Sequence, residues 1–222
     1  MLAIAVVVPF AVVGNGVLVL LQPWFVRFEY DRGGFPADAF GLGAAERTRL
    51  ALVGLRSILP WDRQGIERLE QARLSDGTTA FGPRELRHMG EVRRLVRWLL
   101  ALDAIAVAGI LALAGRGRTR ALAGRGLRAG GLLTLGLCGA VGVMLAFNPV
   151  RFLTGFHTVF FLSRSSWRFA DSDTLRRLYP DRFSTDTSAL LGAAATAQAL
   201  VLVACTGGFR RRRTIPPCRT GS

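Results

Sequence analysis

Two histidines, His88 and His157, are the only imidazoles in this chain of 222 residues. An imidazole both accepts and donates a proton near neutral pH, which makes it the side chain best suited to general acid–base catalysis. His88 has Glu85 about one helical turn before it and Glu91 about one turn after it, and a carboxylate at that spacing can orient the ring. These residue types predict a site that moves protons, with His88, His157, Glu85 and Glu91 as its catalytic candidates.

Both histidines also have non-catalytic interpretations. A histidine on a charged helix is often a solvated surface residue, and a histidine among aromatic side chains is often packed or hydrogen-bonded. A metal site is a third interpretation, because the two imidazoles and the carboxylates of Glu85 and Glu91 are groups that bind zinc. A Glu and a His three residues apart are common on helices, however. We therefore expect the carboxylates to orient an imidazole, and we predict no metal ligands.

The segment that positions His88 is predicted to be one helix from Pro83 to Ala114. Gly82-Pro83 favours a helix start, and Glu85 suits the positive end of the helix dipole. Residues 84–94 are rich in charge, whereas residues 95–114 are mostly apolar. The helix is expected to begin in water and to end inside a membrane, which holds His88 about two turns above the bilayer.

Asp103 lies within the apolar part of this helix. Ionisable residues inside a membrane span are rare and mark functional sites by default. An ion pair with Arg97, or a hydrogen bond to Thr134 or Gln198, explains Asp103 equally well. The sequence leaves the function of Asp103 open.

The composition is that of a membrane protein with substantial polar loops. Hydrophobic residues make up 50% of the chain, charged residues 20%, and the mean hydropathy is +0.33. The net charge of +14 comes from 29 arginines and would suit nucleic acid, but its placement in short loops fits membrane topology and anionic lipid instead. This placement of the charge leads us to expect no nucleic-acid partner. The three cysteines lie outside the long polar loops, so we expect no disulfide framework.

Four apolar runs predict four transmembrane helices and a fixed orientation. The basic loop and the basic tail hold ten Arg and no acid, so the positive-inside rule places both termini in the cytoplasm and the polar loops outside. We expect the first run to be a retained span because no small-x-small cleavage site follows it. The predicted spans are 1–22, 95–114, 130–147 and 188–206, the outer loops 27–94 (with His88) and 148–187 (with His157), the cytoplasmic loop 115–129 and the cytoplasmic tail 207–222.

The outer loops are expected to form a small cap that rests on the membrane helices. The apolar spacing predicts a helix over 44–59, and Asp62 can cap a second short helix that continues to Leu74. Residues 28–31, followed by Gly33-Gly34, are predicted to be extended or turn-like. The fold class is therefore an all-α membrane protein, with four transmembrane helices and a small extracytoplasmic cap formed by the two outer loops.

Two motifs give the chain a resemblance to a known family. The first consists of Phe81, Glu85, His88-Met89 and Glu91-Val92. The second consists of Phe156-His157, Phe160-Phe161 and Trp167, followed by the acidic, Pro-containing stretch 178–183. With the four spans, these motifs resemble a bacterial integral-membrane family that includes the lipoprotein intramolecular transacylase, Lit. The family's usual Asp before Val is Glu91 here, and Ser166 stands where Asp or Asn is expected.

The resemblance implies acyl transfer in the bacterial cytoplasmic membrane. The substrate would be a lipoprotein whose N-terminal cysteine carries a diacylglyceryl group, and the sn-2 acyl chain would move to the α-amine without a cofactor. His88, oriented by Glu85 or Glu91, would be the general base, and His157 would stabilise the oxyanion, or the two roles would be exchanged. Aromatic side chains would line the acyl groove or hold the loop: Phe156, Phe160, Phe161 and Trp167.

Two other classes of function remain possible at this stage. A non-catalytic four-span scaffold of the cell envelope would tolerate Gln or Asn at both histidines. A small transporter would use Asp103 and Gln198 as a polar path, and Asp103→Asn would then matter more than a change at either histidine.

Overall fold

The computed structural model describes residues 1–160 and 169–211, and most of them are helical. Within these ranges the only extended pairing is an isolated bridge between Arg73 and Thr79. The helices are α1 (Leu2–Leu20), α2 (Pro23–Asp31), α3 (Ala44–Ile58), α4 (Glu67–Glu70), α5 (Pro83–Gly115), α6 (Arg120–Phe147), α7 (Pro149–Phe160), α8 (Thr174–Leu178) and α9 (Asp181–Arg211).

Four of these helices, α1, α5, α6 and α9, are long and apolar enough to cross a membrane. They form one bundle in which α1 contacts each of the other three, and α6 contacts the remaining two. The residues 116–128 lie at one end of the bundle, which we call the basic end. The polar segments lie at the other end, which we call the cap end. The predicted all-α fold with four spans is confirmed.

Small residues on α6 allow the close approach to α1. A Cβ added to Gly126 would lie 2.7 Å from Cβ of Ile4, and one added to Gly130 would lie 2.4 Å from Cβ of Val8. These glycines are four residues apart and share one face of α6. In lipid, where burial of apolar surface gives no drive for helix association, such close contact supplies the packing attraction.

The cap is made from both polar segments and shares one hydrophobic core with the outer ends of α1 and α5. Leucines of α3, α4 and α8 pack there with Leu21, Met89 and Val96. Because a single core contains cap and bundle residues, the cap rests on the membrane helices as expected. The remaining members of the core include Leu50, Ala51, Leu55, Leu69, Leu175 and Leu178.

Polar contacts join the two outer segments to each other. The Arg47 guanidinium donates to the Arg177 carbonyl at 2.9 and 2.6 Å, and the Arg177 guanidinium forms two bonds of 2.9 Å with the Asp38 carboxylate. The Tyr179 hydroxyl donates to the Ala51 carbonyl at 2.8 Å. Charge-assisted and paired bonds of this kind fix orientation as well as distance, so the second segment is held firmly on the first.

Three local expectations need correction. Residues 28–31 are helical, because Pro23 starts α2 at its first turn and the side chains of Phe25, Val26 and Glu29 form its buried face. The second short cap helix is limited to α4, and Leu74 lies beyond it. The predicted basic loop 115–129 is mostly the first turns of α6, since Arg120 already begins that helix.

Candidate functional site

The two histidines meet at the cap end of the bundle. The ring centroids of His88 and His157 are 6.4 Å apart, and the rings are 24° from parallel. His88 is on the charged first part of α5 and His157 is near the end of α7, and both side chains are half-buried. At this separation one small reacting group can contact both rings.

Glu85 determines how the start of α5 is placed. One carboxylate oxygen accepts the backbone N–H of Gly82 at 2.7 Å, which caps the helix, and the other accepts the N–H of Leu175 at 2.6 Å. The Thr174 hydroxyl also donates to the Ala80 carbonyl beside it. Only 5% of the surface of Glu85 is exposed. This carboxylate therefore ties α5 to α8, one turn from His88.

The prediction that Glu85 or Glu91 orients His88 is not decided by these contacts. Both oxygens of Glu85 accept backbone N–H groups, which gives this side chain a positioning role through the helix start. Glu91 is half-buried one turn further along α5. Its role as the orienting carboxylate stays a prediction.

Phe169 is a neighbour of His88 that the sequence reasoning missed. Its ring meets the His88 ring edge to face, with centroids 5.3 Å apart and planes at 70°. The Arg84 guanidinium lies 5.4 Å from the centre of the Phe169 ring, a cation–π distance that holds the aromatic in place. No motif contains Phe169, and its only sequence signal is an aromatic residue between the His157 motif and the acidic stretch.

The surroundings keep His88 neutral. Burial is the larger cause and repulsion from a charge on the nearby His157 the smaller one, and together they lower the pKa of His88 to about 4. His88 lies in the charged part of α5, before the apolar residues 95–114. At neutral pH its imidazole is therefore unprotonated and able to accept a proton.

Comparison with known proteins shows the family to which the chain belongs. The family model described as "Lipoprotein intramolecular transacylase Lit" matches residues 3–183. The chain belongs to this family. An uncharacterized protein of Aquifex aeolicus (strain VF5) is 31% identical over 185 residues, which is 83% of this chain and 82% of that protein. The in meso structure of Lit from Bacillus cereus has the same fold, with a TM-score of 0.72 at 17% identity, covering 95% of this chain and 94% of that one.

Membership in the Lit family confirms the enzyme class that the two motifs implied. The chain is a multi-pass membrane enzyme, and its reaction is intramolecular acyl transfer on lipoproteins. The alternative of a non-catalytic scaffold is not favoured. Among the described residues no group of three or more His, Cys, Asp or Glu side chains is close enough to hold a metal ion.

The predicted aromatic residues are only partly within the described structure. In this Lit-family chain Phe156 meets His157 edge to face at 5.6 Å and contacts Phe160 at 4.8 Å. These side chains stand on α7 beside the site and are largely exposed. Phe161 and Trp167 lie outside the described residues, so their place in an acyl groove stays a prediction.

Asp103 is far along α5 from the histidines and packs against α1. A Cβ added to Gly14 would lie 2.6 Å from Cβ of Asp103, so the carboxyl fills the space beside that glycine. Two of the three suggested partners bond elsewhere: the Gln198 amide donates to the Val12 carbonyl and the Thr134 hydroxyl donates within α6. In this family member Asp103 belongs to the bundle rather than to the histidine site.

Proposed function

We propose that this chain moves the sn-2 acyl chain of an S-diacylglyceryl cysteine to the α-amino group of the same residue. The amine nitrogen attacks the ester carbonyl carbon, the C–N bond forms, and the C–O bond to glycerol breaks. One proton leaves the nitrogen and one reaches the glycerol oxygen, so atoms balance without another reactant. The observation that supports this most is the pair of imidazoles 6.4 Å apart, which come from distant parts of the sequence.

His88 is the general base in this proposal. It is unprotonated at neutral pH because burial depresses its pKa to about 4, so it can accept the proton that the attacking amine loses. Once protonated, a group with so low a pKa readily gives its proton to the leaving alkoxide. A single imidazole can thus serve both proton transfers, with Glu85 fixing its helix and Phe169 limiting its hydration.

His157 faces the substrate carbonyl and donates an N–H to the oxyanion that forms on it. Removing one donor of this kind from an acyl-transfer site costs about 10²–10³ in rate. In the exchanged assignment His157 is the base and His88 donates to the oxyanion. That assignment requires the same two rings, and the ring that accepts the proton is then His157. Holding amine and ester in one substrate supplies the proximity that a bimolecular reaction would lack.

The proposed location is the outer face of the bacterial cytoplasmic membrane. By the positive-inside rule, we expect the short basic segments and both termini to face the cytoplasm, and this supports the predicted assignment of the segments 27–94 and 148–187 to the outer side. The substrate is an amphiphile anchored in the outer leaflet, so membrane lipid surrounds the site. Phe156 and Phe160 on α7, with Phe161 and Trp167, are proposed to line the path of the acyl chains.

Mass spectrometry of an N-terminal lipopeptide tests this function. The host is a bacterium without its own lipoprotein N-acylation, and it expresses the wild type, His88→Ala or His157→Ala. The wild type should yield a peptide with one acyl chain on the amine and one on glycerol, and both variants should leave the amine unmodified.

Neighbouring exposed residues provide matched controls for that experiment. Arg87→Ala and Thr158→Ala change the residue beside each histidine on the same helix, and they should retain N-acylation. A diacylglyceryl peptide with an unmodified amine from a stably inserted wild type would contradict the proposal. Full N-acylation by both histidine variants would contradict the roles given to the two rings.

A further inference from the structure

A large cavity lies at the basic end of the bundle, opposite the histidine site. Its volume is about 1060 Å³, and its walls come from the end of α5, the first turns of α6 and the end of α9. Three arginines line it: Arg120, Arg125 and Arg128. Neither the acyl-transfer chemistry nor the cap accounts for this cavity.

The segments that surround this cavity contain no acidic side chains. No Asp or Glu occurs in residues 104–170 or in residues 187–222. Arg125 and Arg128 are three residues apart on α6 and therefore share one face of the helix. A planar guanidinium binds phosphate oxygens with two parallel bonds, so neighbouring arginines are suited to a phosphate group.

The rest of the lining is apolar or small, with side chains of Leu127, Leu132 and Ala123. Free phosphate would gain nothing from these walls, whereas an amphiphile would place hydrocarbon against them and its headgroup against the arginines. We propose that the cavity binds the phosphate headgroup of an anionic phospholipid from the leaflet at the basic end of the bundle. Arg125 and Arg128 contact the phosphate, and Leu127 and Leu132 contact the glycerol and upper acyl carbons.

The positive-inside rule accounts for arginines in this segment but not for a cavity between helices. It predicts that every arginine there contributes similarly to attraction of anionic lipid. Arg116 and Arg118 belong to the connection between α5 and α6 and do not line the cavity. They therefore provide a matched pair, with equal charge and a neighbouring position.

The test measures retention of phosphatidylglycerol by the purified full chain in detergent, using native mass spectrometry. Phosphatidylcholine and inorganic phosphate serve as comparison ligands. The wild type and the variant with Arg116→Gln and Arg118→Gln should retain phosphatidylglycerol alike, in preference to phosphatidylcholine. The variant with Arg125→Gln and Arg128→Gln should bind it at least about tenfold more weakly, as expected for removal of two cations next to an anionic lipid.

A second variant keeps all the arginines and fills part of the cavity with a larger side chain. Ala121 is an exposed residue that lines the cavity, and Ala121→Trp should lower phosphatidylglycerol binding without any change in charge. Equal losses from the two arginine pairs, or unchanged binding in Ala121→Trp, would overturn the proposal in favour of diffuse electrostatics. Binding of inorganic phosphate as tight as that of the lipid would overturn the lipid as the occupant. Lipopeptide N-acylation, measured in parallel, reports separately on the histidine site.

Discussion

The two halves of the histidine site are supported very differently. His88 stands on a helix start that is locked by buried contacts: Glu85 accepts two backbone N–H groups, and Phe81 and Met89 are 4% and 6% exposed. His157 stands on α7, which packs mainly on the end of α6. Apolar side chains of α7 remain open to the surroundings, with Val159 76% exposed.

The contrast assigns different physical tasks to the two halves. Burial is what lowers the pKa of a base and fixes its position, and the cap supplies it around His88. An apolar helix face open to its surroundings at the end of a membrane bundle suits contact with lipid. In the proposed site, a base held within protein acts beside a second imidazole, and the helix of that imidazole is proposed to face the hydrocarbon of the substrate.

The largest expected effect comes from removing either ring. His88→Ala and His157→Ala should each lower the single-turnover rate of a diacylglyceryl lipopeptide by about 10²–10⁴-fold, because each removes a group that acts on the transition state. The rate of the double variant should fall by a much smaller factor than the product of the two single factors, since the rings are proposed to act as one unit. Purified protein in nanodiscs serves for the measurement.

If the rate loss of the double variant instead equals the product of the two single losses, the rings act independently, and the proposal of a shared site is wrong. Arg87→Ala and Thr158→Ala should stay within about twofold of the wild type, because the first side chain is exposed and the second bonds only within α7.

The next effect concerns the free energy of unfolding, which should depend on the start of α5 around His88 and much less on α7. Glu85→Ala leaves the N–H groups of Gly82 and Leu175 without their acceptor, and each orphaned buried donor costs about 1–3 kcal/mol. The free energy of unfolding should therefore fall by about 3 kcal/mol. Val159→Ala on α7 should change it by less than about 0.5 kcal/mol, as is usual for exposed sites. Denaturant unfolding in detergent micelles compares them, and similar changes in both variants would contradict the contrast.

A smaller effect is expected in the titration of His88. Its pKa of about 4 means that the imidazole NMR signal should stay constant from pH 7 to pH 5 and change only near pH 4. Since the unfolded chain binds that proton near pH 6.5, His88 should also make the fold less stable as pH falls from about 6.5 towards 4. His157→Gln removes the imidazole whose charged form would repel a proton on His88, so the pKa of His88 should rise. Titration near pH 6.5 in the wild type would show that His88 is hydrated.

The smallest effect should come from Phe169. Phe169→Leu keeps an apolar side chain but leaves more room for water at the His88 ring, so the pKa of His88 should rise slightly and the rate should fall by less than about tenfold. Phe28→Leu is the matched control, because Phe28 also lies under an arginine, Arg32, at 5.9 Å and has no contact with His88. Equal rate losses in the two variants would contradict a specific role of Phe169 in limiting the hydration of His88.

The four membrane-spanning helices were predictable because hydropathy acts over whole segments. Four apolar runs are enough to expect four spans, and Gly82-Pro83 marks the start of α5 at the residue where the structure has it. Helix α3, predicted over 44–59, occupies Ala44–Ile58. The four predicted spans were enough to expect His88 and His157 at the same depth on the same side. His88 lies shortly before the second span, and His157 lies shortly after the third.

The details of the site were not predictable because they depend on pairs of residues far apart in the sequence. The contact of Glu85 with the Leu175 backbone and that of Phe169 with His88 leave no periodic pattern. Helix α2 was missed for a local reason: the glycines at 33 and 34 indicate a turn, and they obscure the buried face formed by Phe25, Val26 and Glu29. Gly14 beside Asp103 likewise became visible only through the packing of α1 on α5.

A crossover experiment tests the central claim most directly. Two diacylglyceryl lipopeptides are mixed with the purified protein, one with a heavy sn-2 acyl chain and one with a heavy peptide, and the amide products are read by tandem mass spectrometry. Intramolecular transfer predicts that each peptide receives only its own sn-2 chain, and that His88→Ala or His157→Ala yields no detectable product within the time in which the wild type completes one turnover. Exchange of labelled chains between the peptides, or product formation at the wild-type rate without either imidazole, would contradict the account.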